Sequence, residues 1–500
     1  MLCNFCKHNV DNDVDNVAIL NNFANSFSSI ANPPVTSTEL ELNIEYANLR
    51  ADCIDDHGVY DSINVELVSQ IINGIKRGKV PGPDGITVEH ILFSHPSVIC
   101  ILSYLFNWML GISYIPESFC CSITVPIPKA DLTSRVAKSS DFRGIAITSI
   151  FAKIFESCIL DVFDDFFVTA DNQFGFKRGL GCAHAIYVAK EVIHRYNAGG
   201  DTAFVAALDI AKAFPSVHHG ALLIKLIKRN VPTFLIDILD SWLQRSFSCV
   251  KWNDNLSDSF NLRTGITQGS VLAPILFSVL IDDIIKLVSN ADIGVILFYA
   301  DDILIVARSR MLLQELFSLI ETMLSALNFV LNVNKCVCIR IGHRFDRNCV
   351  SIKSQSGATL SWVNEIKYLG VYIVSGRQFR IAMDAAKRKF NRSVNSILSK
   401  TLGSLGEDVI LHLIKLKCLP ILLYGCEVCV LPKAAVNSLD FVLVRFGMKI
   451  FRTSNRNTVL EIFENMGLKL PSQIIPWRAA KFISRLDAID NVFVRLCCKI

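Results

Sequence analysis

The stretch VILFYADDILIV, residues 295–306, decides the fold, because two short apolar runs meet there at two adjacent carboxylates. The runs 296–299 and 303–306 are β-branched and aromatic, which favours buried strands over a helix. We expect a β-hairpin with buried arms whose tip carries Asp301 and Asp302. Neighbouring carboxylates raise each other's pKa and resist desolvation, so a cation is needed between buried arms. The pattern predicts a divalent metal site, and a solvated acidic turn is the alternative.

Length and composition narrow the class of protein. A chain of 500 residues corresponds to roughly two to four structural units. Hydrophobic residues make up 51% of it, but the longest apolar stretches, 271–281 and 418–424, are well short of the ~20 residues that span a membrane. Seventeen cysteines dispersed among apolar residues indicate reduced core thiols rather than a disulfide framework. We therefore expect an intracellular protein with no membrane partner.

The distribution of charge is more informative than the net charge of +4. Between residues 377 and 400 the chain carries seven basic side chains and one acidic residue, Asp384. Such a run suits a surface that follows nucleic-acid phosphates. A solvated basic helix face is the alternative interpretation.

Other candidate functional residues stand at the ends of apolar or glycine-rich stretches. A strand-like run ends at Asp209, a third acid in apolar surroundings. Lys129 and Arg143 stand at corresponding edges of two adjacent extended segments, where a point charge and a planar fork could clamp a triphosphate. The glycine-rich turn 264–274 allows close approach of a nucleotide, with Gln268 offering an amide. The alternative for Lys129 and Arg143, each taken alone, is an ordinary surface cation. The alternative for the turn 264–274 is a loop that leads into a helix and has no binding role.

Nine short motifs stand in the order known from one family of enzymes. They are KVPGPDGI (79–86), VPIPK (125–129), FRGIAITSIFAKIFE (142–156), NQFGFKRGLGC (172–182), LDIAKAF (208–214), GITQGSVLAP (265–274), FYADD (298–302), LNVNKC (331–336) and IKYLGV (366–371). This set resembles the reverse transcriptases of non-LTR, LINE-like retrotransposons. Group II intron maturases and telomerase-like enzymes share the chemistry, but the FRGI, GITQGSVLAP and IKYLGV forms favour the retrotransposon class. The chain departs from the family pattern at Pro215 and Ala273.

The resemblance implies an α+β right-hand polymerase with fingers, a palm with an antiparallel sheet and a helical thumb, after an N-terminal helical or linker segment. It implies a polar leader or linker (1–60), an N-terminal extension of the fingers (61–109), a reverse transcriptase domain of fingers and palm (110–375) and a helical thumb with a post-thumb region (376–500). Residues 15–30 resemble the segment just upstream of the family's polymerase. We therefore expect the chain to be a fragment of an element's open reading frame.

The resemblance also implies roles for individual residues. Asp209 and Asp301, with their neighbour Asp302, are expected to be catalytic and to bind two Mg²⁺ ions, with Mn²⁺ as the alternative metal. The residues expected at the incoming nucleotide are Lys129 and Arg143 on the triphosphate, Phe214 as a steric gate against a 2′-hydroxyl, Gln268 and Gly269 in the nucleotide-facing loop, and Lys335 beside the departing pyrophosphate. Tyr368, Leu369 and Gly370 resemble the primer grip.

The expected activity is RNA-directed DNA synthesis, in which dNTPs are added to a primer 3′-hydroxyl. The partners it implies are an RNA template, a DNA primer and dNTPs, and the resemblance implies no particular oligomeric state. The alternative is a non-catalytic nucleic-acid-binding relic of such an element. The family implies action in the nucleus or in a cytoplasmic ribonucleoprotein, and the sequence carries no evident localisation signal.

Overall fold

The computed structural model describes residues 9–11, 13, 15–54, 62–129, 136–287, 294–401 and 405–498. Its strands, in chain order, are β1 (Asn9–Val10), β2 (Cys121–Pro128), β3 (Val136–Ala137), β4 (Phe142–Thr148), β5 (Ala203–Asp209), β6 (Phe247–Trp252), β7 (Asn255–Leu256), β8 (Phe260–Asn261), β9 (Val295–Tyr299), β10 (Asp302–Ala307), β11 (Val337–Ile341), β12 (Ile352–Lys353), β13 (Thr359–Trp362), β14 (Glu365–Tyr368), β15 (Val371–Val374) and β16 (Arg380–Ile381).

The α-helices, in chain order, are α1 (Asn16–Ala31), α2 (Ser37–Asp52), α3 (Val65–Gly74), α4 (Val88–Leu92), α5 (Ser97–Gly111), α6 (Glu117–Cys120), α7 (Ile150–Val162), α8 (Cys182–Ala198), α9 (His219–Lys228), α10 (Thr233–Arg245), α11 (Ala273–Leu287), α12 (Arg310–Ala326), α13 (Asp384–Thr401), α14 (Glu407–Leu413), α15 (Leu419–Leu422), α16 (Lys433–Ile450), α17 (Arg456–Asn465), α18 (Pro471–Leu486) and α19 (Val492–Cys498). The predicted mixture of helices and sheets is confirmed. Within the described part of the chain, no helix combines the length and the apolar character needed to cross a membrane.

The hairpin predicted at residues 295–306 is confirmed. Strands β9 and β10 pair antiparallel with Tyr299 opposite Asp302, so Ala300 and Asp301 form a two-residue turn. Ala300 has φ 54°, the left-handed conformation that primed hairpin turns require at their first central position. Apart from Tyr299 and Asp302, every residue of the two strands is buried, as their apolar sequence predicts.

The chain divides into two compact units. The first comprises Met1–Thr169, Ala211–Asp283 and Met323–Val330, and the second comprises Ala170–Ile210, Ile284–Thr322 and Leu331–Ile500. Each unit has its own sheets and its own buried core.

The sheet of the second unit has the strand order β12-β13-β11-β5-β10-β9. Strand β5 is antiparallel to both of its neighbours, β10 and β11, and this confirms the antiparallel arrangement expected around the hairpin. Strand β13 adds to β11 in parallel, so the complete sheet is mixed. The same unit holds a smaller antiparallel sheet of order β14-β15-β16.

The main sheet of the first unit has the order β4-β2-β6-β7, with β8 also paired to β6. Strands β2 and β4 are antiparallel, with Ile127 opposite Arg143, so the two extended segments predicted from the sequence are adjacent. Aromatic rings pack beside this sheet, with Phe23 of α1 4.9 Å from Phe142 and 5.1 Å from Trp252 between ring centroids. These contacts attach α1 to the sheet.

One helix that the sequence predicts in the first unit is interrupted and forms two helices, α4 and α5. The apolar pattern over 91–110 predicts a single helix, but α4 ends at Leu92 and α5 begins at Ser97. Pro96 explains the interruption, because a proline disfavours helical dihedral angles in the residue that precedes it and is well tolerated at a helix start.

Candidate functional site

The three predicted carboxylates lie at one end of the second unit's sheet. Asp302 stands directly opposite Asp209 in the β10–β5 ladder, and Asp301 is the adjoining turn residue. Directly opposite residues of an antiparallel pair project from the same face, with Cβ atoms about 4.5–5.5 Å apart. The Asp209 side chain is 36% exposed, Asp301 is half-buried and Asp302 is exposed. Strand pairing therefore brings together carboxylates that are distant in sequence, at a position that solvent reaches.

This donor set fits a magnesium ion that arrives with its substrate. Among the described residues, no group of three or more His, Cys, Asp or Glu side chains is arranged to hold a metal ion by itself. Mg²⁺ prefers oxygen ligands and is usually bound by one or two carboxylates together with water and substrate phosphates, rather than by an all-protein cage. Asp209 and Asp301, with Asp302 beside them, are the residues that would hold it.

Lys335 lies beside the first of these carboxylates. Its Nζ is 3.3 Å from Asp209 Oδ2, and its side chain is 67% exposed. The turn that carries Lys335 is attached to the end of β5, because Asn332 N donates to the Asp209 carbonyl at 2.9 Å. An exposed ion pair of this kind contributes less than about 1 kcal/mol to stability. The lysine can therefore exchange Asp209 for another anion at small cost.

The side-chain amide of a buried residue, Gln173, is hydrogen-bonded to the backbone of the hairpin turn. The sequence did not predict this role. Gln173 is fully buried, and its Oε1 accepts hydrogen bonds from Ala300 N at 3.1 Å and Gly175 N at 2.9 Å. The flanking backbone runs along β9, since Phe174 N donates to the Phe298 carbonyl and Phe298 N to the Asn172 carbonyl. The sequence contained one signal for this role, the two adjacent amide side chains in NQFG, residues 172–175. Buried amides are usually hydrogen-bonded, so such a pair indicates contacts with backbone groups.

The residues that resemble a primer grip lie at the turn between β14 and β15. Leu369 and Gly370 have φ values of 43° and 86°, and Gly370 is exposed. Tyr368 is only 3% exposed, and its hydroxyl finds no hydrogen-bond partner among the described residues. Burial, with the charge of Asp302 as a second cause, raises the Tyr368 pKa well above its usual value. The accessible part of this segment is therefore the turn backbone rather than the tyrosine hydroxyl.

The two predicted triphosphate ligands lie in the first unit, at one end of the β2–β4 pair. Lys129 follows the last residue of β2, and its Nζ donates to the Ser140 carbonyl at 2.6 Å. Its backbone N donates to the Asp141 carbonyl at 2.9 Å. Arg143 is exposed and stands opposite Ile127 in the ladder. The structure thus brings the two cations to the same end of the β2–β4 pair, with Arg143 on β4 and Lys129 directly after β2.

The predicted steric gate, Phe214, is also in the first unit. Its ring stacks on Phe277 of α11, with centroids 5.0 Å apart and an angle of 18° between the planes. The Phe214 carbonyl accepts a hydrogen bond from Ile266 N at 3.1 Å, and the Pro215 carbonyl accepts one from Thr264 Oγ1 at 3.3 Å. The segment with the aromatic ring is therefore held against the start of the glycine-rich turn.

The glycine-rich turn is anchored at two points. Ala146 N donates to the Gln268 carbonyl at 2.7 Å, and Gly269, with φ 141°, approaches so closely that a Cβ would collide with the Ala146 carbonyl oxygen. Only glycine fits this combination of dihedral angle and contact. Gln268 and Gly269 are thereby held on the edge of β4.

The second anchor of the turn is Glu156 of α7, which the sequence analysis also missed. Its carboxylate accepts hydrogen bonds from Ser270 Oγ and Val271 N, both at 2.6 Å. Burial raises the pKa of Glu156 to about 7, although these hydrogen bonds lower it. A lone acid within the apolar helix SIFAKIFESCIL was the signal in the sequence, because a buried carboxylate requires partners.

The structure thus gathers the predicted site residues in two sets. The second unit contains the carboxylates Asp209, Asp301 and Asp302, together with Lys335 and the turn 368–370. The first unit contains Lys129, Arg143, Phe214, Gln268 and Gly269.

Comparison with known proteins gives a family match over the same region. Residues 127–373 match the family described as "Reverse transcriptase (RNA-dependent DNA polymerase)". The Pol polyprotein from the type-2 retrotransposable element R2DM of Drosophila melanogaster is 28% identical, over 59% of this chain and 29% of that protein. The RNA-directed DNA polymerases from mobile element jockey are 25% identical in Drosophila funebris and 26% identical in Drosophila melanogaster.

These two alignments cover 67% and 87% of this chain, and 38% and 49% of the two jockey proteins. The chain therefore spans at most about half the length of these curated relatives. Among solved structures, apo telomerase from Candida tropicalis, truncated from its C-terminal domain, aligns over 72% of this chain and 86% of that chain. The TM-score is 0.37 and the sequence identity is 13%, values too low to support an inference about this chain.

Proposed function

We propose that this chain, which carries a reverse transcriptase domain over residues 127–373, is an RNA-directed DNA polymerase of a non-LTR retrotransposon. The observation that supports this most directly is the strand register that sets Asp302 opposite Asp209 and leaves Asp301 in the adjoining turn. The proposed substrates are an RNA template, a DNA primer and dNTPs. The proposed place of action is the nucleus or a cytoplasmic ribonucleoprotein.

The reaction joins the primer 3′-oxygen to the α-phosphorus of a dNTP and breaks the bond to the β-phosphate, so pyrophosphate leaves. Asp209 and Asp301 supply oxygen ligands, and Asp302 adds negative charge beside them. When bound, two Mg²⁺ ions would ease deprotonation of the primer 3′-hydroxyl and neutralise the triphosphate. Lys335 lies beside Asp209 in a weak, exposed ion pair, so it can move to the departing pyrophosphate and offer it a proton.

The remaining residues serve recognition in this proposal. Lys129 and Arg143 offer a point charge and a planar fork to the triphosphate. Phe214 excludes a 2′-hydroxyl by volume, and its stacking on Phe277 keeps the ring from turning aside. The anchored residues Gln268 and Gly269 face the nucleotide.

The decisive experiment is primer extension on poly(rA)/oligo(dT) with dTTP and Mg²⁺. We expect the wild-type chain to extend the primer and Asp301→Asn to lose extension, because an amide does not replace an anionic metal ligand. Asp258→Asn, which alters an exposed carboxylate of the first unit, is the matched control and should extend normally. Excess EDTA should abolish extension, and added Mg²⁺ should restore it.

Two results would contradict the proposal. Extension by Asp301→Asn at the wild-type rate would remove the assigned role of this carboxylate. If neither protein extends the primer while both bind the hybrid with salt-dependent affinity, the chain is a non-catalytic nucleic-acid-binding relic.

A further inference from the structure

The primer-grip-like turn is contacted by a tyrosine that lies outside the motifs shared with the polymerase family. Tyr424 belongs to the segment LPILLYGC, residues 419–426, and it is 41% exposed. Its hydroxyl donates a hydrogen bond to the carbonyl of Leu369 at 2.8 Å. Both residues belong to the second unit. The carbonyl at the centre of the turn therefore has a specific side-chain donor.

Two glycines allow the tyrosine segment and the turn to approach this closely. A Cβ on Gly370, which has φ 86°, would lie 2.9 Å from Tyr424 Cε1. A Cβ on Gly425, which has φ 76°, would lie 2.6 Å from Val371 Cγ1. Any side chain at either position would separate the two segments. The contact is thus reciprocal, with a left-handed glycine in each partner.

Cys182 and Tyr299, which ends strand β9, pack against the same buried core as Leu369. Burial raises the pKa of the Tyr424 hydroxyl, and the neighbouring Cys182 and Tyr299 side chains raise it further.

The turn held by Tyr424 and the hairpin that carries the carboxylates belong to the same unit, and a polymerase must hold the two in register. Tyr299 ends strand β9, immediately before the turn residues Ala300 and Asp301. Leu369 and Gly370 form the turn that resembles a primer grip. The distance between metal ligands and primer end must be precise, because displacement of reacting groups by about 1 Å lowers rates by about a hundredfold.

We infer that Tyr424 is a positioning residue for the primer 3′ end, acting through its hydrogen bond to the Leu369 carbonyl. This inference rests on the proposed polymerase function and adds to it a residue outside the polymerase motifs. The tyrosine hydroxyl orients the backbone of the turn, and the turn contacts the primer strand.

The test compares Tyr424→Phe with the wild type and with Tyr372→Phe. Phenylalanine keeps the ring packed on Gly370 and removes only the hydroxyl. Tyr372 of β15 lies in the same hairpin, and among the described residues it makes no hydrogen bond to the Leu369 carbonyl. Single-turnover extension measures the chemical step at saturating dNTP. A 2-aminopurine base at the primer terminus, observed with Ca²⁺ in place of Mg²⁺, reports the position of the primer end without chemistry.

We expect Tyr424→Phe to slow single-turnover extension about 3- to 10-fold, the loss typical of one hydrogen bond. The dNTP concentration for half-maximal rate and the melting temperature should stay within experimental error of the wild type. The fluorescence of the terminal 2-aminopurine should rise, because a less constrained end is less stacked. Tyr372→Phe should match the wild type in every measurement.

Each other outcome overturns the inference in an identifiable way. If the wild type extends and Tyr424→Phe equals it in rate and in fluorescence, Tyr424 does not position the primer, while the polymerase function stands. If Tyr424→Phe is slow only because it melts at lower temperature, and cooling restores the wild-type rate, its role is structural. If the wild type neither extends nor alters the 2-aminopurine signal, both the inference and the proposed function fail.

Discussion

Replacing Glu156 by Gln tests how the glycine-rich turn is held. Glu156 is 4% exposed, and it accepts hydrogen bonds from Ser270 Oγ and Val271 N, each at 2.6 Å. Burial raises its pKa from the usual 4.5 to about 7, in opposition to these hydrogen bonds and to the nearby charge of Lys153. Folding therefore favours the protonated form of this carboxyl, which can still hydrogen-bond to both partners.

The sign of the pH dependence follows from this rise in pKa. Between pH 4.5 and about 7 the folded state binds more protons at Glu156 than the unfolded state. The contribution to stability is fully present below pH 4.5 and is lost as pH rises through 7. A rise of this size corresponds to roughly 3 kcal/mol, at 1.36 kcal/mol for each pH unit.

Glutamine has the shape of the protonated carboxyl at every pH. Its amide can donate to Ser270 Oγ, and its carbonyl can accept from Val271 N. We therefore expect Glu156→Gln and the wild type to have similar free energies of unfolding at pH 5. At pH 8 the variant should be more stable, by up to roughly 3 kcal/mol.

Urea unfolding at pH 5, 6, 7 and 8, followed by tryptophan fluorescence, measures this difference, because Trp242 and Trp252 lie in the same unit as Glu156. Glu66→Gln, at an exposed position of α3, is the control and should show no such divergence. The reasoning is refuted if the difference in free energy of unfolding between Glu156→Gln and the wild type is the same from pH 5 to pH 8. Ionisation of Glu156 would then not oppose folding.

Two further predictions concern the proposed chemistry. Lys335→Gln should change the free energy of unfolding by less than about 1 kcal/mol, because the ion pair with Asp209 is exposed. The same variant should slow single-turnover extension about 10²- to 10⁴-fold if Lys335 protonates pyrophosphate; a normal rate would exclude that role. Phe214→Val should lower the preference for dNTPs over rNTPs, measured as a ratio of kcat/KM values, by at least about tenfold. An unchanged ratio would show that the ring stacked on Phe277 is not the gate.

Local patterns were sufficient for several elements that carry the site. The hairpin at 295–306 follows from two β-branched runs on either side of Asp301, and its turn consists of Ala300 and Asp301, with Asp302 as the first residue of β10. The strand ending at Asp209 and the extended segments beside Lys129 and Arg143 follow from the same kind of apolar run. In each case the decisive information lies within about ten residues of chain.

Pro96 shows that a local signal can also be outweighed in a sequence-based prediction. The apolar period of 91–110 predicts one helix, although the proline that separates α4 from α5 is visible in the sequence. Its effect on the preceding residue overrides the periodicity at that point.

The sequence by itself determined which residues form the strands beside the site, which turn needs glycine, and which side chains are proposed to act in a polymerase. Only the tertiary structure decided that Asp302 pairs with Asp209 across two strands. It also decided that Glu156 accepts hydrogen bonds from Ser270 and Val271, and that the Tyr424 hydroxyl donates one to the Leu369 carbonyl. Strand composition is set by neighbours along the chain. Partners and register are set by how distant segments bury their apolar faces together, and that depends on the whole core rather than on any one stretch.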